Sequence, residues 1–320
     1  MSTGNEKTRE LWNRFGPFLG LLFVSAVFAS LRWQTFTSWV NIEIMLVNTT
    51  VVATAAFGMT IIIISGGIDL SVGSTIALGT VVVALLINAG WTPGAAALGG
   101  IGAATLAGLI IGLLVTRLKL TPFIVTLGMM GVLRGAAKGL SDQKMVRTED
   151  TWLNELLSLS GESGRLLPIG VWITLAAGLL TAGLLRYTRF GRHVYAIGSN
   201  ESTARLCGVR VDWNRIVIYA LGAAFAGIAS VMQFSYVRSG DPTTAVGKEL
   251  DVIAAVVIGG GSLSGGEGTI LGSLIGALIM TVVDNGCTKL GLEDWVQDIV
   301  TGGIIVLAVT LDRLRHRSRS

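Results

Sequence analysis

Of the 320 residues, 51% are hydrophobic and only 14% are charged, and the mean hydropathy is +0.68; a soluble chain carries about 25% charged residues. Apolar runs of about 20 residues make up the difference and specify an all-α, polytopic helical membrane protein. The runs are continuous rather than alternating, which argues against a β-barrel, and the net charge of +4 reads as a topology signal with no nucleic-acid partner implied.

Residues 1–16 form a polar tail of mixed charge, and no small-residue cleavage site follows the first apolar run, so that run is expected to stay as a span. The membrane region covers 17–312, with about ten spans expected near 17–31, 42–64, 74–89, 95–116, 122–140, 168–185, 216–237, 250–261, 269–284 and 296–311. The first, third and eighth are short, as re-entrant or broken helices are. A basic tail, 313–320, ends the chain. Lys7, Arg9, Arg14, Arg117, Lys119, the arginines from Arg186 to Arg215 and those from Arg313 to Arg319 then share one side. Because cytoplasmic loops collect Lys and Arg, both termini and the 186–215 segment are expected in the cytoplasm. The 141–167 loop, with Asp142, Glu149, Asp150, Glu155 and Glu162, is expected outside.

Two Gly-rich stretches sit where spans end at the basic side, 64–79 and 258–272. Each runs from an apolar segment into a Gly cluster, then Leu-Ser, Gly, Thr-Ile and Leu-Gly, a hint of internal repetition. Non-helical backbone at membrane depth must be buried in protein or line a cavity. Gly66, Gly67, Gly259, Gly260 and Gly261 are therefore candidate hinge or pathway residues. Asp69 joins them, placed to cap the following helix through the amides of Leu70 and Ser71. Asn48, Thr49, Thr54 and Gln233 are polar candidates for a solute path, with helix–helix hydrogen bonding the competing use of Asn48 and Thr49. Many of the 43 glycines suit close helix packing.

The 186–215 segment carries helix punctuation. Ser199 or Asn200 can cap an N-terminus, Glu201 puts an acid in the first turn, and Gly208 can close the C-terminus. A helix that short is unstable alone and earns a place chiefly as something onto which a partner docks. No catalytic set is present: nothing matches GxxxxGK[ST], there is no HExxH, and Gly261-Ser-Leu-Ser-Gly265 has no histidine near it to serve as base. Cys207 and Cys287 are far apart with no CxxC, so no metal site is expected. Glu43, Asp69, Asp251 and Asp284 lie near span ends and form no proton relay, which disfavours a stand-alone secondary carrier.

The chain resembles the permease subunits of bacterial sugar ABC importers of the ribose, xylose, arabinose and galactoside type. The likeness rests on 65–74 (Ser-Gly-Gly-Ile-Asp-Leu-Ser-Val-Gly-Ser), 121–128, 188–201 with 204–208, and 249–260 with 262–266, in that order. It implies an importer permease fold in the inner membrane, a second permease subunit (a homodimer), cytoplasmic ATP-binding subunits that hold ATP and Mg, and a periplasmic sugar-binding protein. No cofactor is expected on this chain. Gly191, Asn200, Glu201, Ala204, Arg205 and Gly208 match the family's coupling segment, which docks on the ATPase. One departure is Lys144, where relatives often carry Gly, which puts the shape of the outer loop in doubt.

Overall fold

The computed structural model describes the backbone of residues 3–317, and side chains from 16 to 310 other than those of 162 and 163. The side chains of the basic tail 313–320, of Glu162 and of Lys7, Arg9 and Arg14 lie outside the described residues. In chain order the helices are α1 (Thr3–Leu31), α2 (Trp33–Phe36), α3 (Trp39–Ile64), α4 (Val72–Asn88), α5 (Pro93–Arg117), α6 (Pro122–Leu140), α7 (Ser160–Ser163), α8 (Ile169–Tyr187), α9 (Arg189–Ser199), α10 (Glu201–Leu206), α11 (Val211–Val237), α12 (Lys248–Ile258), α13 (Ile270–Lys289) and α14 (Asp294–Arg317). Two strands of two residues each, β1 (Val146–Arg147) and β2 (Ser239–Gly240), pair antiparallel and tie the 141–167 loop to the chain after α11.

Helix starts are written locally. Ser38 accepts the Asn41 amide at the head of α3, Thr92 accepts the Ala95 amide ahead of Pro93, and Thr269 accepts the Gly272 amide ahead of α13. Each of the ten expected spans is helical, but among the described residues six helices are long and apolar enough to cross a membrane: α3, α5, α6, α8, α11 and α13. The apolar part of α1 and all of α4 are shorter. The eighth span is cut down further: α12 has 11 residues, about 16 Å of helix against a hydrocarbon core of about 30 Å. The N-terminal tail is helical from Thr3 onward, continuous with the first apolar run.

α3 is the axis of the bundle, buried along nearly its whole length. Small residues let its neighbours approach closely. On α5 and α11, which run antiparallel, a Cβ at Gly112 would lie 2.8 Å from the Ile216 Cα, and one at Gly227 would lie 2.7 Å from the Ile101 Cα. α12 and α13 pair in the same way, Gly259 on Gly272, Ala255 on Gly276, and Lys248 facing Asp284. Polar bridges fix the register. The Asn41 and Asn285 amides exchange hydrogen bonds of 2.9 and 3.0 Å between α3 and α13, and Thr60 meets Ser273 at 2.6 Å. Large apolar side chains such as Leu106, Leu179, Leu180, Val306 and Leu307 face outward, as a lipid-facing rim requires.

In the 141–167 loop, Glu43 of α3 accepts from the Ser160 amide and hydroxyl, so this buried acid anchors the loop to the bundle. At its start Asp142 and Gln143 both take left-handed backbone, φ 52° and 58°, a conformation glycine adopts with no Cβ penalty. The side chain of Lys144, next in the chain, pairs with Asp142 at the exposed surface.

Candidate functional site

The segment expected as a polar loop is mostly helix. α8 passes into α9 through a sharp turn in which Thr188 caps α9 by accepting the Gly191 amide at 3.1 Å. Gly191 lies so close to the Leu185 backbone that any Cβ would collide with its carbonyl. Along α9, Gly191, Val194 and Ile197 face inward while Arg189 and Arg192 face out. At its last turn Gly198 seats directly on the Ile64 carbonyl, the final residue of α3, with Gly265 and Gly266 on its other flank. That same carbonyl accepts the Gly266 amide at 2.8 Å, and the Tyr195 hydroxyl donates to the Gly268 carbonyl at 2.8 Å. The ends of α3, α9 and the loop after α12 thus meet at a single backbone oxygen.

α10 follows at once, and its two ends are closed by its own residues. The Asn200 side chain accepts the Thr203 amide at 2.9 Å and the Ser202 hydroxyl at 2.7 Å. Gly208, at φ +84°, ends the helix: its amide donates to Arg205 and the Val209 amide donates to Ala204, both at 3.0 Å. This double bond pattern is the Schellman motif. Glu201 bridges Arg205 at 3.1 Å and Arg215 of α11 at 2.8 Å, and Arg205 continues to Asp212. Burial raises the Glu201 pKa, but the bonds and charges of Arg215 and Arg205 outweigh it and hold the carboxyl below its ordinary range. Ala204 is buried with Ile197 and Val211, while Leu206 is 89% exposed and Cys207 is exposed beside it.

The Gly-rich stretches end their helices by one geometry. After α3, Gly66 (φ +81°) donates to Ile63 and Gly67 donates to Ile62; after α12, Gly260 (φ +90°) donates to Val257 and Gly261 donates to Val256. Both are Schellman closures, with Gly66 matching Gly260 and Gly67 matching Gly261. The loops touch, since Gly265 lies against the Gly66 Cα. Space around Gly66 and Gly260 is open, whereas Gly67, Gly259 and Gly261 are tightly packed. Asp69 is buried and its Oδ1 accepts the Ser71 amide at 2.8 Å and the Ser71 hydroxyl at 2.6 Å. It receives nothing from Leu70, one residue short of the expected reach.

The other polar candidates lie elsewhere. Asn48 is half-buried on α3, about 24 Å of helix from Ile64. Thr49 donates to the Met45 carbonyl of its own helix, Thr54 meets Thr174 of α8 at 3.1 Å, and Gln233 donates to Thr244 at 2.8 Å. Asp251 pairs with Lys248 at 2.8 Å. Among the described residues no group of His, Cys, Asp and Glu could hold a metal ion. Sequence reasoning missed α9, Gly198, Tyr195 and Tyr219. The spacing Gly191, Val194, Ile197, Gly198 was a usable signal for the helix; the seat of Gly198 was not, because it exists only in the tertiary structure.

A lipid-rimmed bundle built around α3, with a capped helix pair lying across its span ends, is the architecture of a multi-pass membrane permease. Residues 41–309 match the family described as branched-chain amino acid transport system / permease component, and the chain belongs to it. It is 39% identical to the ribose import permease of Bacillus subtilis (strain 168), over 94% of this chain and 92% of that one. It is 36% identical to the L-arabinose ABC transporter permease of Azospirillum brasilense, over 97% and 90%. With the D-allose transport system permease of Escherichia coli (strain K12) the identity is 34%, over 95% and 92%. No solved structure matches the chain. It is a transporter's membrane subunit and not an enzyme.

Proposed function

We propose that the chain forms the inner-membrane pathway of an ATP-driven importer for a monosaccharide, with α9–α10 as the coupling element. Full-length similarity to permeases named for ribose, L-arabinose and D-allose supports a sugar over the amino acid of the family's description. Both termini and α9–α10 face the cytoplasm, and about ten segments of the chain enter the membrane, with α12 re-entering only part of the way. Two copies pair. Cytoplasmic ATPase subunits carry the ATP and Mg, and a periplasmic binding protein delivers the sugar.

One observation carries this reading. α10 is capped at both ends, braced through Glu201 to α11, and joined to α9, whose Gly198 rests on the last carbonyl of α3. A rigid element seated on span ends transmits a push, whereas a solvated loop absorbs it. Asn200, Glu201, Ala204, Arg205 and Gly208 build its rigidity, Gly191 sets its angle to α8, and Leu206 is the apolar side chain left for an ATPase groove.

The test is purification of the detergent-solubilised wild type beside Glu201→Arg, probing each for a co-purifying ATPase. The expected result is an ATPase with the wild type and none with the variant, since the substitution places a third cation beside Arg205 and Arg215. A wild type that purifies alone and moves sugar into liposomes without ATP would make it a secondary carrier instead.

A further inference from the structure

Tyr219 on α11 is among the most deeply buried large side chains, 1% exposed, and its hydroxyl makes no hydrogen bond to any described group. A buried hydroxyl without a partner costs about 1–3 kcal/mol, a cost that phenylalanine would avoid. The oxygen faces the loop after α3: a Cβ built at Gly67 would sit 2.6 Å from it. Asp69 lies two residues further along that loop. Asp69 is itself 3% exposed, and both of its side-chain hydrogen bonds fall on Oδ1, with no donor to Oδ2 among the described residues.

The neighbourhood repeats this pattern. Of five buried side-chain atoms lacking partners among the described residues, three border this stretch: the Tyr219 hydroxyl, Ser74 Oγ, and Glu249 Oε2, which packs against Gly73. Buried polar groups are nearly always satisfied, so such a concentration is unusual. The loop has one open point. Gly66 combines positive φ with open space around it, and Ile64 just before it bears the load of Gly198 and Gly266. In the matching stretch after α12 the same closure is followed by Gly261-Ser-Leu-Ser, with no carboxylate before the Leu-Ser pair, whereas here Ile68 and Asp69 precede it.

We propose that Tyr219 and Asp69 form a latch on the Gly66–Asp69 loop, the hydroxyl donating to Asp69 Oδ2 in a second conformation that the transport cycle visits. The latch rests on the coupling reading above: pressure from α9 on Ile64 turns the loop about Gly66, bringing Oδ2 to the hydroxyl and shifting the head of α4 with it. Tyr219 and Asp69 are positioning residues and need not touch the solute.

The experiment compares Tyr219→Phe, Asp69→Asn and the double variant in proteoliposomes carrying the ATPase and the sugar-loaded binding protein. It reads uptake Vmax, the KM for the loaded binding protein, and the unfolding temperature. Each single variant should lose about tenfold in Vmax with KM unchanged. Tyr219→Phe should unfold no earlier than wild type, because it removes an unpartnered hydroxyl. The double variant should be no worse than either single. Wild-type uptake in Tyr219→Phe, a fall in unfolding temperature that parallels the Vmax loss, or losses that multiply in the double variant would each overturn the latch. Wild-type uptake that needs no ATPase would instead remove the importer reading itself.

Discussion

Glycines at the loop end of the bundle do different jobs, and substitution separates them. Gly198 has no room for any Cβ against the Ile64 carbonyl, so Gly198→Val must lift α9 from its seat and cost about 1–3 kcal/mol as overpacking. Gly66 has open space, so Gly66→Ala meets only the left-handed backbone penalty of about 1–2 kcal/mol. The two can therefore cost a similar amount in a thermal melt yet differ in transport. Gly198→Val should abolish coupling of ATP hydrolysis to uptake, while Gly66→Ala should keep it. Equal coupling in both would show that the seat transmits nothing. The end of α3 at Ile64 was legible in the sequence because helix closure is a local signal written by neighbouring residues. Gly198 was not, since its constraint is imposed by a carbonyl 134 positions earlier in the chain.

At the level of elements, α10 tests how far local punctuation goes. Its end cap Gly208 and its first-turn acid Glu201 were readable from residue type and spacing alone, while the N-cap was left between Ser199 and Asn200 and falls on Asn200. Six residues cannot hold a helix by propensity. Removal of the Asn200 cap by Asn200→Ala should cost about 1 kcal/mol, concentrated in α10. Hydrogen exchange should then show faster amide exchange at Thr203 and Ala204 with no change in α11; protection retained at both would mean that Glu201 and its arginines hold the helix without the cap. α9 was passed over because its three basic positions, Arg189, Arg192 and His193, with Arg186 just before them at the end of α8, read as a solvated loop, although the inward stripe was already present. The shortness of α12 was read from the sequence, which put the eighth span at 250–261, but its end was not. Its apolar run continues into the Gly cluster, and only the Schellman closure at Gly260 shows that the helix stops at Ile258.

For the whole molecule the open variable is sidedness, and the chain's two cysteines report on it without any engineered probe. Cys207 is exposed at the end of α10, and Cys287 is buried in α13 against the bundle. A membrane-impermeant maleimide reacts with an accessible thiolate, so Cys207 is the site it reaches and Cys287 is shielded. With α9–α10 in the cytoplasm, intact spheroplasts should take up no label on this chain. Inside-out vesicles should take up one equivalent, and Cys207→Ser should remove it. The same thiol adjoins Leu206, the apolar side chain expected to enter the ATPase groove, so adding the ATPase to inside-out vesicles should slow labelling. Labelling from the outer face of spheroplasts would invert the topology drawn from the Lys and Arg distribution and place α10 where no ATPase could dock. Inner-face labelling that the ATPase leaves unchanged would preserve the topology and move the docking surface away from the Leu206 end of α10.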